Sequence, residues 1–126
     1  MGEIMPKLLV VDDESDVRNF LREELSREGF NVSTVSNGAD AIVAAAENPY
    51  DAIVLDMLMP GLDGIQVIRV LRKVIPGTPI IGLTGYVGRG YMAQASAFGV
   101  VCLSKPVVVV DLLRELSEGL ALNPEG

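Results

Sequence analysis

The sequence predicts an α/β fold: a doubly wound, five-stranded parallel sheet with helices on both faces. Three observations carry this. Short apolar runs alternate with helical patterns five times along the chain. Most of these runs are continuously apolar, as strands buried on both faces are, rather than alternating with polar residues. The chain has 126 residues, which suits five such units around one core burying roughly two-thirds of the unfolded surface. A closed eight-stranded barrel would need about twice the length.

Leu8-Leu9-Val10-Val11 is the first strand. In the helix that follows, Val17, Phe20, Leu21 and Leu25 recur at helical spacing. Asp13 or Ser15 can cap its start, and Gly29 suits its end. Phe30 to Val35 is the second strand. Ala39 to Glu47 is an Ala-rich helix that Pro49 cannot continue. Ala52-Ile53-Val54-Leu55 is the third strand, ending at Asp56. A loop with Pro60, Gly61 and Gly64 leads to a helix carrying Ile65, Ile68 and Leu71, which Pro76-Gly77 breaks. Pro79 to Leu83 is the fourth strand, Tyr91 to Phe98 the fourth helix, and Val100-Val101-Cys102-Leu103 the fifth strand. The last helix spans Val108 to Leu122 with Leu112, Leu113, Leu116 and Leu120 inward. Its phase turns Val109 to the core and leaves Val108 and Val110 exposed. Residues 6–122 form the domain, with loose termini at 1–5 and 123–126.

Composition removes several function classes. Seventeen acidic and ten basic residues give a net charge of −7, a poor match to nucleic acid or an anionic membrane. There is no histidine, which excludes His-based acid–base catalysis, His-containing triads, most zinc sites and a phosphohistidine carrier. One cysteine, Cys102, forms no internal disulfide, so a reducing compartment is expected. No apolar run approaches membrane-spanning length. Gly2 alone fits a myristoylation start, and Pro6 stands where Ser or Thr is wanted. The expected location is cytoplasmic.

Ligands of open α/β sheets bind beyond the carboxyl ends of the strands. Here those ends carry Asp12-Asp13, Asp56, Thr84 and Ser104-Lys105-Pro106. Three converging carboxylates repel one another and raise one another's pKa values. A hard divalent cation such as Mg²⁺ relieves this. A carboxylate beside Mg²⁺, with an ammonium and a hydroxyl opposite, is a suitable nucleophile toward a phosphoryl group. Each motif alone has an ordinary reading: a helix cap, a turn, a loop opening, a surface lysine. Together they fall at the ends of four different strands, in order.

On these residues the chain resembles the receiver domain of two-component response regulators. The matching segments are Val10-Val11-Asp12-Asp13-Glu14, Leu55-Asp56-Met57-Leu58-Met59-Pro60-Gly61-Leu62-Asp63-Gly64, Leu83-Thr84-Gly85 and Ser104-Lys105-Pro106. The resemblance implies a flavodoxin-like (CheY-like) fold with strand order 2-1-3-4-5. It implies Asp56 as phosphoacceptor and Mg²⁺ held by Asp12, Asp13, Asp56 and the Leu58 backbone carbonyl. Asp13 would be the more direct ligand of the strand-1 pair. Thr84 and Lys105 would bind the phosphoryl oxygens, and the Lys105–Pro106 bond would be cis. The donor would be a sensor histidine kinase or a histidine phosphotransfer protein. The face of the fourth helix, fifth strand and fifth helix would serve a homodimer or output partner, with no direct nucleic-acid or membrane contact. Such a domain is a switch, not a metabolic enzyme; it catalyses only its own phosphoryl transfer and slow dephosphorylation. Leu58 and Tyr86 would flank the path of the hydrolytic water.

One position departs from the family pattern. Receivers usually carry Tyr or Phe three residues before the strand-5 lysine, and here that residue is Cys102. It reads as a small buried hydrophobe rather than a reactive thiol, and Tyr86 or Tyr91 is left to pass on any movement of Thr84. A flavin-binding electron carrier on the same fold would need a phosphate-cradling loop after the first strand, where Asp12-Asp13-Glu14 repels phosphate instead. Two further readings are a degenerate receiver that only binds partners and a receiver module excised from a longer regulator or hybrid kinase. The sequence leaves no room for an output domain after Leu122.

Overall fold

The structure is a computed structural model that describes residues 5–61, 63–85 and 91–122. Ten elements alternate along it: β1 (Lys7–Val11), α1 (Ser15–Arg27), β2 (Asn31–Val35), α2 (Gly38–Glu47), β3 (Ala52–Asp56), α3 (Gly64–Val74), β4 (Ile80–Thr84), α4 (Tyr91–Ser96), β5 (Val101–Ser104) and α5 (Val109–Leu122). The strands form one parallel sheet in the order β2-β1-β3-β4-β5.

Alternate residues of each strand feed two separate cores, as the two-residue period of a strand requires. Leu9, Val11, Ile53, Leu55 and Cys102 pack with α2, α3 and Ala95 of α4. Leu8, Val10, Val54, Ile81 and Leu83 pack with Leu21 and Leu25 of α1 and Leu112 and Leu116 of α5. β3 and β4 are buried from end to end, which is why their sequences are apolar up to the terminal Asp56 and Thr84. The register pairs Val11 with Leu55, Asp56 with Leu83 and Thr84 with Ser104. The polar strand ends therefore meet at one edge.

Several details differ from the sequence expectation. The N-cap of α1 is Glu14, whose side chain makes no capping bond; neither Asp13 nor Ser15 caps it. The carboxylate that meets this loop is that of Asp12, which accepts the Glu14 N–H at 2.9 Å. Phe20 is 45% exposed, because Leu21 and Leu25 already fill the contact between α1 and the sheet. α4 stops at Ser96 and β5 starts at Val101. Gly99, at φ +74°, turns the chain between them, and Arg72 of α3 pins this turn by donating to the Phe98 and Thr78 carbonyls at 2.9 and 2.6 Å. α5 starts at Val109, one residue later than the sequence pattern places it; Val108 is exposed just ahead of the helix and Val110 is exposed on it, while Val109, Leu113 and Leu120 are only half-buried. Gly29 ends α1 at φ +97°. Tyr86 and the residues at 1–4 and 123–126 lie outside the described residues. Among the described residues no helix is long and apolar enough to cross a membrane.

Candidate functional site

The site is built on the carboxyl ends of β1, β3, β4 and β5. Asp12 and Asp56 are buried, and Asp13 beside them is exposed. Carboxylate oxygens of all three lie within 4.8 Å of one another. Lys105, arriving from β5, places its ammonium 2.9 Å from Asp12 Oδ2, 3.3 Å from Asp56 Oδ2 and 3.7 Å from Glu14 Oε1. Thr84 is fully buried at the end of β4, and its carbonyl accepts the Lys105 N–H at 2.8 Å. The structure thus brings together Asp12, Asp13, Asp56, Thr84 and Lys105. Asp56 Oδ1 accepts the Leu58 N–H at 3.1 Å, which fixes the carboxylate against the loop that follows. The Lys105–Pro106 bond is cis.

Electrostatics follow from the burial. Burial pushes the Asp56 carboxyl up to about 6, helped by the neighbouring charge of Asp12 and opposed by the Leu58 N–H and Lys105. Burial also draws the Lys105 ammonium downward, but its hydrogen bond to Asp12 and the charges of Asp56 and Asp12 outweigh that and leave it raised. One lysine therefore balances two buried carboxylates, and the exposed Asp13 adds a further negative charge. An all-oxygen donor set with excess negative charge fits a hard divalent cation of the Mg²⁺ kind.

Of the remaining sequence-predicted residues, Cys102 and Leu58 are described. Cys102 is buried in the α2–α3 core, and burial raises its thiol pKa, as befits a packed hydrophobe rather than a reactive thiolate. Leu58 is 42% exposed, beside Asp56 but not covering a core. Tyr86 falls among the undescribed residues.

Three features escaped the sequence reading. Arg18 Nη1 donates to the Asp12 carbonyl at 2.7 Å and so braces the acidic loop from within α1. Nothing local marks this, since the bond depends on how the loop folds back on the helix. Asp63 and Gln66 form a reciprocal capping box that starts α3; the Asp-x-x-Gln spacing was the available signal. Val17, Phe20, Pro106 and Val107 line an apolar groove that runs up to Lys105.

Comparisons with known proteins agree with this fold. A family model described as "Response regulator receiver domain" matches residues 8–117. The chain is 46% identical over 120 residues to the transcriptional regulatory protein PrrA of Mycobacterium tuberculosis, covering 91% of this chain and 50% of PrrA. It is 31% identical over 117 residues to the response regulator receiver protein CpdR of Brucella abortus, covering 92% and 98% respectively. Among solved structures, a response regulator receiver domain protein from Clostridium thermocellum superposes with a TM-score of 0.90 at 29% identity, covering 95% of this chain and 98% of that one. The chain spans half or less of the length of the transcriptional regulatory proteins it matches, but nearly all of CpdR.

Proposed function

This chain belongs to the response regulator receiver domain family, and we propose that it works as a phosphorylation-controlled switch with Asp56 as phosphoacceptor. The observation that carries the reading is the meeting of Asp12, Asp13, Asp56 and Lys105 at one sheet edge, with a lysine ammonium within 3.3 Å of both buried carboxylates. The donor is a phosphohistidine of a partner kinase or histidine phosphotransfer protein. An Asp56 oxygen forms the new P–O bond as the P–N bond of the donor breaks, and the electron pair leaves with the imidazole. Lys105 and the Thr84 hydroxyl take the phosphoryl oxygens.

Asp12, Asp13, Asp56 and the Leu58 carbonyl are the groups that would hold Mg²⁺. When bound, the cation supplies charge neutralisation at the transferring oxygens. Before transfer, Lys105 keeps the two buried carboxylates from destabilising the fold, and Leu58 N–H holds Asp56 in one orientation. The groove of Val17, Phe20, Pro106 and Val107 supports an apolar footing for the donor protein beside Lys105, whose ammonium stands 3.3 Å from Asp56. Exposed Val101, Val108 and Val110 support an output or homodimer contact on the face of α4, β5 and α5. The reading is of a cytoplasmic switch without nucleic-acid contacts of its own and with no activity beyond its own phosphorylation and slow dephosphorylation. Residues 6–122 would be the complete receiver unit. Relatives of both kinds, twice its length and equal to it, allow the unit to work alone or within a longer regulator.

The direct test is incubation with Mg²⁺ and acetyl phosphate. One base-labile phosphoryl group is expected on the parent and none on Asp56→Asn. Equal labelling of the variant rules out the assignment.

A further inference from the structure

Met57 directly follows Asp56, the last residue of β3, and carries the strand's alternation one residue further, so the two side chains point to opposite faces. Asp56 faces the site; Met57 turns into the α2–α3 core and is fully buried there. Its backbone is tied on both sides: its N–H donates to the Leu83 carbonyl at 2.8 Å, and its carbonyl accepts the Gly64 N–H at 3.0 Å. Its side chain lies between two glycines. A Cβ on Gly64 would stand 2.7 Å from Met57 Cα and 2.8 Å from its sulfur. A Cβ on Gly82 would stand 3.0 Å from that sulfur and 2.7 Å from Cys102 Sγ. Non-bonded atoms do not approach so closely in a packed core without displacement, so Gly64 has no room for a side chain while Met57 occupies this place, and Gly82 has none beside Cys102 and Met57 together. Cys102, opposite Gly82 in the β4–β5 register, closes the far side.

We propose that Met57 is a positioning residue for Asp56. Its side chain, wedged between Gly64 and Gly82 and backed by Cys102, fixes the backbone of residues 56–58. This in turn fixes the angle at which the Asp56 carboxylate meets a phosphoryl donor. The proposal rests on the reading of Asp56 as phosphoacceptor. The connecting contact is the 3.1 Å bond from the Leu58 N–H to Asp56 Oδ1. Asp56 and Leu58 are the two covalent neighbours of Met57, so a rotation of the Met57 backbone pulls that bond apart. An unbranched thioether suits the irregular gap between two glycines. Truncating it opens a cavity directly beneath the acceptor, and misplacement by about 1 Å costs up to about a hundredfold in rate.

The test compares Met57→Ala, Met57→Leu and a control, Leu25→Ala. Leu25 is as fully buried as Met57 but packs in the opposite core. Rates of phosphorylation by acetyl phosphate are read by intact mass, together with hydrogen-exchange protection of the Leu58 amide. In Met57→Ala the rate should fall about tenfold or more, with loss of Leu58 protection; Met57→Leu should return to within about threefold of the parent; Leu25→Ala should keep both properties despite its lower stability. A folded Met57→Ala with the parental rate, or equal slowing in Leu25→Ala, overturns the proposal. Should Met57→Ala fail to fold, Gly64→Ala presses on the Met57 Cα and on the same sulfur without shortening the side chain. Slowed phosphorylation in that variant supports the proposal, and the parental rate overturns it. If the parent takes up no phosphoryl group, the reading of Asp56 falls. The Leu58 amide then decides alone: protection lost in Met57→Ala and kept in Leu25→Ala supports the wedge, and protection kept in both overturns it.

Discussion

Lys105 donates to Asp12 at 2.9 Å across 93 residues of chain. The contact joins the last strand to the first, although β3 and β4 stand between them in the sheet. It is also the nearest balance for a carboxylate with no exposure to water. A buried charge stripped of its partner is far more costly than the intact pair is favourable.

Lys105→Met should therefore destabilise the metal-free protein at pH 7 by about 2–4 kcal/mol. The raised ammonium pKa means that the stabilising contribution is present below the unfolded-state lysine value and lost only at strongly alkaline pH. Chemical denaturation at pH 7 checks this. A change below about 0.5 kcal/mol, typical of exposed pairs, would show that Asp12 is balanced by other means.

Asp56 gives the opposite sign. Its folded pKa, about 6, lies above the ordinary carboxylate value of 3.8, so folding favours the protonated form. The stability this confers is present below pH 4 and lost as pH rises to 6, by about 2–3 kcal/mol at most. Asp56→Asn should flatten the metal-free stability profile between pH 4 and 6 and raise Tm at pH 7. Asp13→Asn, at an exposed position, should move Tm little. Equal pH profiles for parent and Asp56→Asn would refute the burial argument.

By the receiver resemblance, phosphoryl lifetime should depend on Leu58 and on Tyr86, which lies outside the described residues. Leu58 has no proton-accepting group, and a Tyr86 phenol is a poor base near pH 7. Leu58→Asn and Tyr86→Glu should each speed decay of the phosphorylated protein severalfold after donor removal, a change that needs only about 1 kcal/mol in the barrier. Decay unchanged or slower in both would mean that neither side chain shields the phosphorus.

Phe20 separates docking from chemistry. At 45% exposure it contributes little to the core, yet it lines the groove that reaches Lys105. Phe20→Ala should slow transfer from a cognate phosphohistidine protein at least about tenfold, as loss of an interface anchor does, and leave the acetyl phosphate rate unchanged. Slowing with both donors would place the effect in the site itself.

Much was legible without coordinates because it is local. The apolar runs of β1, β3 and β4, the breaks at Gly29 and Pro76-Gly77, and the order of Asp12-Asp13, Asp56, Thr84 and Lys105 all follow from spacing along the chain. Parallel connection then sends every one of those strand ends to the same edge. The exposure of Val110 also followed from helical phase.

What only the tertiary structure decided is which of these groups lose water, and against what. Asp12 and Asp13 are adjacent and chemically identical, yet one is buried against Lys105 and the other exposed. Phe20 shares the helical stripe of Leu21 and Leu25 but is half outside the core. Met57 reads as one more apolar residue until Gly64 and Gly82 close around it. Secondary structure repeats with the period of the backbone, so residue types at fixed intervals reveal it. Desolvation depends on neighbours tens of residues away, and those neighbours are chosen only when the sheet and its helices pack.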